Sequence, residues 1–183
     1  IVTQRDDQDG VWKKMQMTIT PGRMMAVVKA IASSKPRNEE IGKFTKSAFD
    51  AGRTVVIMSD LIDDHLVPLF HVLVAAGVPG EHIGFYHGQV KKTDLESVKN
   101  NKRVVLATYA MCSEGTNAPH WDTLVLATPR ANVKQAVGRI LRLVAGKKQP
   151  VVLDLVDNHA VLKSFYYSRL RQYYSVGGET VDV

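Results

Sequence analysis

Short apolar runs at 54–58, 83–86, 103–108, 123–127 and 151–156 set the rhythm of the chain. Each is bounded by glycine or polar residues and is too short for a helix. None alternates as a half-exposed strand does, so each predicts a strand buried on both faces, as in a parallel sheet. The segments between them carry helical spacing. Val27, Val28 and Ile31 follow Thr20-Pro21, a capping hydroxyl with proline in the first turn, and 33–36 breaks that helix. Asn38, with Glu39 and Glu40, predicts the next start, an apolar face of Ile41, Phe44 and Ala48, and a stop at Gly52. Leu61 to Val74, closed by Gly77, predicts a third helix, and Leu95 and Val98 a short fourth. Residues 132–144, stopped by Gly146, predict a helix, and 158–174 a long final one with Leu162, Phe165, Tyr166 and Leu170 inward. Residues 109–120 read as a loop with one helical turn. Met15, Met17 and Ile19 alternate like a short strand, and the tail allows one more extended piece.

Buried strands alternating with amphipathic helices predict an α/β domain with a mainly parallel twisted sheet. The expected division is 1–20 as a linker or lead-in segment, 21–175 as the domain and 176–183 as a tail. In such sheets ligands sit beyond the carboxyl ends of the strands. That rule selects Ser59-Asp60, Tyr86-His87-Gly88, Thr108 onward, and Thr128-Pro129 leading into the 132–144 helix.

Composition adds bounds. The 183 residues suffice for one domain with a real core, and 45% hydrophobic with 23% charged is ordinary for a globular protein. A net charge of +6 is compatible with a polyanionic partner without requiring one. One cysteine, Cys112, excludes an internal disulfide and favours a reducing, cytoplasmic setting. No apolar run is long enough to span a bilayer, so no membrane partner is expected. The chain begins Ile-Val-Thr, which reads as part of a longer or processed protein.

The chemistry concentrates in 135–142. Arg139 and Arg142 are three apart, which places them on one face of a helix, with Gln135 a turn earlier and Gly138 leaving room for close backbone approach. Planar guanidiniums suit phosphate oxygens, so the pair predicts an anion clamp. No G-x-x-x-x-G-K-[ST] or G-x-G-x-x-G motif is present, so the chain cannot cradle a nucleotide's phosphates by itself. There is also no His/Cys cluster with metal spacing. Lys91-Lys92 and Lys147-Lys148 read as solvated pairs. Tyr166, Tyr167, Tyr173 and Tyr174 read as core plus a partner surface, with base stacking the sharper alternative.

In order and wording these stretches resemble the C-terminal RecA-like lobe of a superfamily 2 helicase, across 38–160. Residues 55–60 resemble motif IV, 105–119 motif V and 135–142 motif VI. The pattern A-T-Y-A-x-x-x-E-G-x-N-x-P is most like helicases of phages and large DNA viruses, related to poxviral transcript-release and phage recombination helicases. The resemblance implies a RecA-like three-layer sandwich. Arg139 and Arg142 would act as catalytic arginine fingers on the γ-phosphate of ATP. Gln135, Gly115, Asn117 and Gly138 would line the nucleotide side. Ser59, His87, Gly88 and Thr108 would face the nucleic-acid backbone. Asn117 stands where the family usually carries Asp, so that position lacks a charge. ATP and Mg2+ would serve the full-length protein and bind mainly to an N-terminal lobe that is the partner of this one; this chain alone would hold neither and be inactive. The resemblance ranks DNA ahead of RNA. A non-catalytic nucleic-acid- or protein-binding module stays open as the alternative, while a dinucleotide enzyme lacks its glycine fingerprint.

Overall fold

The computed structural model describes residues 2–6, 23–113, 117–142 and 144–182. In chain order the elements are β1 (Val2–Asp6), α1 (Met24–Ala32), α2 (Lys35–Asp50), β2 (Val55–Met58), a π-helical turn (Ile62–Leu66) running into α3 (Val67–Ala75), β3 (Ile83–Tyr86), α4 (Lys92–Asn101), β4 (Val104–Ala107), α5 (Tyr109–Ser113), β5 (Thr123–Leu126), α6 (Lys134–Ile140), β6 (Val151–Asp157), α7 (Ala160–Ser175) and β7 (Val181–Asp182). The strands form one seven-stranded sheet in the order β3-β4-β2-β5-β6-β1-β7, and every pairing is parallel. This is the three-layer RecA-like α/β sandwich.

Side chains alternate across each strand and so divide into two cores. Val55 and Ile57, Val104 and Leu106, and Leu153 and Leu155 face Ile41 of α2 and Leu69 and Leu73 of α3. Val56 and Met58, Val105 and Ala107, and Leu124 and Leu126 face Cys112 of α5, Val137 and Ile140 of α6, and Tyr173 of α7. Strands β2, β4 and β5 are buried at every residue, which is why their sequences show no polar alternation. Trp121 packs into the second core at 1% exposure. Helix α1 lies against α7 through Val27, Ile31 and Leu162.

Several expectations shift. Residues 2–6, expected as linker, form β1 between β6 and β7, pairing Val2 with Leu153 and Asp6 with Asp157. Helix α2 starts at Lys35 rather than Asn38, with Pro36 in its first turn. The Asn38 side chain does not cap it; Nδ2 donates back to the Ala32 carbonyl at 2.8 Å. Helix α6 ends at Ile140, well short of 144. Lys147 explains the early stop: its ammonium donates to the carbonyls of Ile140 at 2.7 Å and Arg142 at 2.9 Å. The expected strand at Met15–Ile19 and the Thr20-Pro21 cap fall outside the described residues.

Candidate functional site

The parallel register aligns the strand ends. Met58 pairs with Ala107 and Leu126, and Tyr86 pairs with Ala107. His87, Thr108, Ser59 and Ala127 therefore follow one another along one carboxyl edge. Backbone bonds continue the ladder there: Ser59 N–H donates to Ala107 O at 3.1 Å, Ala127 N–H to Met58 O at 3.0 Å, and Thr108 N–H to Tyr86 O at 3.3 Å.

The residues expected to face nucleic acid differ in access. Gly88 has open space on its Cβ side, in a turn where Val90 N–H donates to His87 O at 3.0 Å. His87 is buried, its Nδ1 has no partner among the described residues, and burial lowers its pKa while Asp63 pulls the other way. Thr108 sits at the edge with 9% exposure. Ser59 does not offer its hydroxyl outward as expected. It is fully buried, lies 3.0 Å from His65 Nδ1, and accepts from Leu61 N–H at 3.2 Å.

His65 closes a small buried network. Its Nε2 lies 3.0 Å from Asn38 Oδ1. Because Asn38 Nδ2 already donates to Ala32, Oδ1 is the acceptor. Nε2 therefore carries the proton, and Nδ1 accepts from Ser59. Burial, helped by the nearby Arg37 charge, pushes the His65 pKa down to about 3. Arg37 itself donates to Ala127 O at 3.1 Å and to Asp157 Oδ1 at 2.9 Å. Burial raises the Asp157 pKa even against that guanidinium. Helix α2 thus ties together the ends of β2, β5 and β6.

The arginine stretch is arranged differently from its sequence image. Arg139 lies on α6 and Arg142 just past its end, where Arg142 N–H still donates to Arg139 O at 3.3 Å. Each is tied to the α5 region. Arg139 Nε donates to the carbonyl of Cys112, and Arg142 Nη1 donates to Asn117 Oδ1 at 2.8 Å. Gln135 and Gly138 are exposed, and Gly138 has open space where a Cβ would stand. Gly115 lies outside the described residues. Gln135, Arg130, Asn132 and Tyr109 line one shallow pocket beside the strand ends.

The strand-end rule selected Asp60 without giving it a role, and sequence reading missed its partners across this edge. The Asp60 carboxylate accepts from Tyr109 N–H at 3.2 Å and from the Arg130 guanidinium. Arg130 also lies 4.7 Å above the Tyr109 ring. The Tyr109 hydroxyl donates to Thr128 O at 3.0 Å, and burial pushes its pKa far up. Behind them Arg169 Nη1 donates to Arg130 O at 2.7 Å, and the Gln172 amide holds Val133 N–H and Ala131 O, each at 2.9 Å. Arg130 and Gln172 had no local signal.

The donor set fits a polyphosphate better than its metal. Guanidiniums and an amide project from α6 and its end, while among the described residues no group of three or more His, Cys, Asp or Glu could hold a cation.

Relatives and solved structures bear on this edge. No family model matches the chain. An Acanthamoeba polyphaga mimivirus protein, named as a candidate ATP-dependent RNA helicase, is 31% identical over 123 residues, which is 67% of this chain and 23% of that protein. An uncharacterised protein of Invertebrate iridescent virus 3 is 31% identical over 80 residues, 43% of this chain and 75% of that protein. The crystal structure of T4 UvsW superposes on 99% of this chain and 40% of its own, with a TM-score of 0.75 at 19% identity. The chain is similar to viral helicases and has the fold of a RecA-like helicase lobe. The chain spans about a quarter of the mimivirus relative's length. Among its described residues no helix is long and apolar enough to cross a membrane.

Proposed function

We propose that this chain is the second, C-terminal RecA-like lobe of an ATP-dependent helicase or translocase, closing over ATP held mainly on a first lobe of the same protein. The observation that carries the reading is the seam between α5 and α6. Arg139 and Arg142 converge on Cys112 and Asn117, so the segments resembling motifs V and VI meet at one end of the sheet. The Cys112 carbonyl that Arg139 meets and the Asn117 amide oxygen that Arg142 meets are both neutral acceptors, which supports a later exchange for phosphate. ATP, bound with Mg2+, supplies the phosphoryl group whose transfer to water drives the cycle. When the lobes close, Arg139 and Arg142 exchange their neutral partners for phosphate oxygens, where charge-assisted bonds are stronger. Gln135 and the open Gly138 face support the nucleotide side. Gly88, His87 and Thr108 grip a nucleic-acid backbone, DNA ahead of RNA. Ser59 serves by holding the turn rather than by touching the strand.

The test is steady-state ATP turnover by a protein joining this lobe to a phosphate-loop lobe. Arg142→Ala and Arg139→Ala are each expected to lower nucleic-acid-stimulated kcat by roughly 10³ or more. The 183-residue chain by itself is expected to show no turnover. Wild-type turnover in both arginine variants would overturn the reading.

A further inference from the structure

Helix α7 carries the tyrosine cluster that the site does not absorb. Its sequence, AVLKSFYYSRLRQYYS, holds three cations and no acid. Arg169 points inward, at 3% exposure, and donates twice to Asp154 at 2.7 Å. Tyr173 and Leu162 are also inward, at 0% and 1% exposure. The other two cations, Lys163 and Arg171, are exposed, and among the described residues neither is in an ion pair. Tyr167 and Tyr174 are both 57% exposed. Positions 163, 167, 171 and 174 step by four, four and three, which lines them up on one helical face. The outer face of α7 is thus a stripe of cation, ring, cation, ring about 16 Å long.

These rings do not serve the core, and tyrosine is only a middling helix former. Tyr167 is backed from inside by the Tyr166 ring, at 5.8 Å between centroids, with Arg169 in turn 5.9 Å from Tyr166. The exposed ring is a supported platform. Cations interleaved with aromatic platforms match a polymer that carries phosphates and flat bases in alternation. The stripe also starts in the right place. Helix α7 follows the carboxyl end of β6, the same edge that carries His87 and Thr108, so Lys163 lies nearest that edge and Tyr174 farthest from it.

We propose that the outer stripe of α7 is a second contact site for single-stranded nucleic acid, with Lys163 and Arg171 pairing with phosphates and Tyr167 and Tyr174 stacking on bases. It rests on the helicase reading only in taking nucleic acid as the substrate, and it extends the strand's path from the sheet edge down one face of the lobe.

The test is fluorescence anisotropy of the 183-residue chain with fluorescein-labelled oligothymidylate, without ATP, across a range of KCl. The wild-type chain is expected to bind, with log K falling linearly against log salt. Lys163→Ala and Arg171→Ala should each flatten that slope by about 0.7. Tyr167→Ala and Tyr174→Ala should each weaken binding roughly five-fold or more at unchanged slope. Tyr167→Phe and Tyr174→Phe should bind like wild type, since the ring face is kept. Lys43→Ala, on the opposite face of the sheet, serves as a charge control and should leave the slope unchanged. Circular dichroism melts check that the variants are folded. No binding at low salt overturns the proposal, as does wild-type binding by the combined four-alanine variant. A concentration-dependent dimer in sedimentation that Tyr167→Ala abolishes would assign the stripe to a second copy of the chain, and also overturns it. Because ATP is absent, failure here leaves the arginine reading standing, and failure of the arginine variants leaves this one standing.

Discussion

Arg142 donates to Asn117 Oδ1 at 2.8 Å, across a surface where both residues are exposed. The amide is neutral and the bond is exposed to water, so the tether is modest, about 1 kcal/mol, whereas a multiply charged phosphate in a closed, water-excluding cleft makes charge-assisted bonds roughly twice as strong as neutral ones. A phosphate arriving at Arg142 would therefore outcompete the amide. Replacing the amide with a carboxylate should tighten the tether only slightly, because exposed ion pairs contribute about 0–1 kcal/mol. Asn117→Asp is expected to keep ATP turnover of the two-lobe protein within about five-fold of wild type. A loss of about a hundred-fold or more in steady-state assays would show that Asn117 does more than park the arginine.

The core of the lobe makes a stronger demand. Asp154 of β6 accepts two bonds from Arg169 and one from the Tyr173 hydroxyl, all at 2.7 Å, with Asp154 fully buried. Asp154→Ala leaves the guanidinium buried without its counter-charge, a loss on the order of 3–5 kcal/mol. Tyr173→Phe removes one bond and should cost about 1–2 kcal/mol. Urea unfolding should show both as shifts of midpoint at constant m-value. Equal effects of the two variants would contradict the charge argument. The Asp154 loss would also slacken the loop before α6, because Arg169 holds Arg130 O.

How much of this was legible in the sequence depended on the range of the interaction. Strands β2 to β6 were readable to within a residue or two because each is a largely apolar run closed by a polar or glycine residue. Strand β1 was not, because Val2–Asp6 is polar and enters the sheet through backbone pairing with residues about 150 positions later. The end of α6 was misplaced for a similar reason. Lys147 captures the Ile140 carbonyl from a loop, and no local pattern announces it. The edge residues His87, Gly88 and Thr108 emerged from a general rule about strand ends, and the register does set them side by side. Ser59 obeys the same rule in position but not in role, since its partner His65 sits on a π-helical turn that periodicity does not reveal. The bonds from Arg37 to Asp157 and from Asp60 to Arg130 join positions 120 and 70 residues apart, and charge patterning along a chain carries no trace of them.

Gly84 offers a test of close packing rather than of polar bonds. A Cβ built there would stand 2.8 Å from Val98 Cγ1 and 2.8 Å from Lys102 Cγ. Lys102 can swing away, but Val98 is held in the core between α4 and the sheet. Gly84→Ala should therefore lower stability by about 1–3 kcal/mol through overpacking. Gly138→Ala is the contrast, because nothing lies within 4 Å of its Cβ position. That substitution is expected to leave the midpoint of unfolding unchanged or slightly raised, since alanine favours the helix. A destabilised Gly138→Ala in thermal or urea unfolding would contradict this.

The buried histidine sets a pH signature. In the fold His65 is neutral, with a pKa of about 3 against an ordinary 6.5, because it is buried and faces the Arg37 charge. Unfolding restores its affinity for a proton. Between those two values the unfolded chain binds a proton that the folded chain does not, so stability rises with pH. The contribution is fully present above pH 6.5 and is lost progressively as the pH falls toward 3, with a limiting slope near 1.4 kcal/mol per pH unit. His87 is also lowered by burial and adds in the same sense. Comparing wild type with His65→Gln isolates the one residue, because other titrating groups cancel in the difference. Glutamine can donate to Asn38 but does not titrate, so its unfolding free energy should fall less steeply with acid than that of the wild type. Urea titrations from pH 7 down to 4 read the difference directly. Parallel pH profiles for the two proteins would mean that His65 is protonated in the fold. The Asn38–His65–Ser59 network would then have to be redrawn with both ring nitrogens donating.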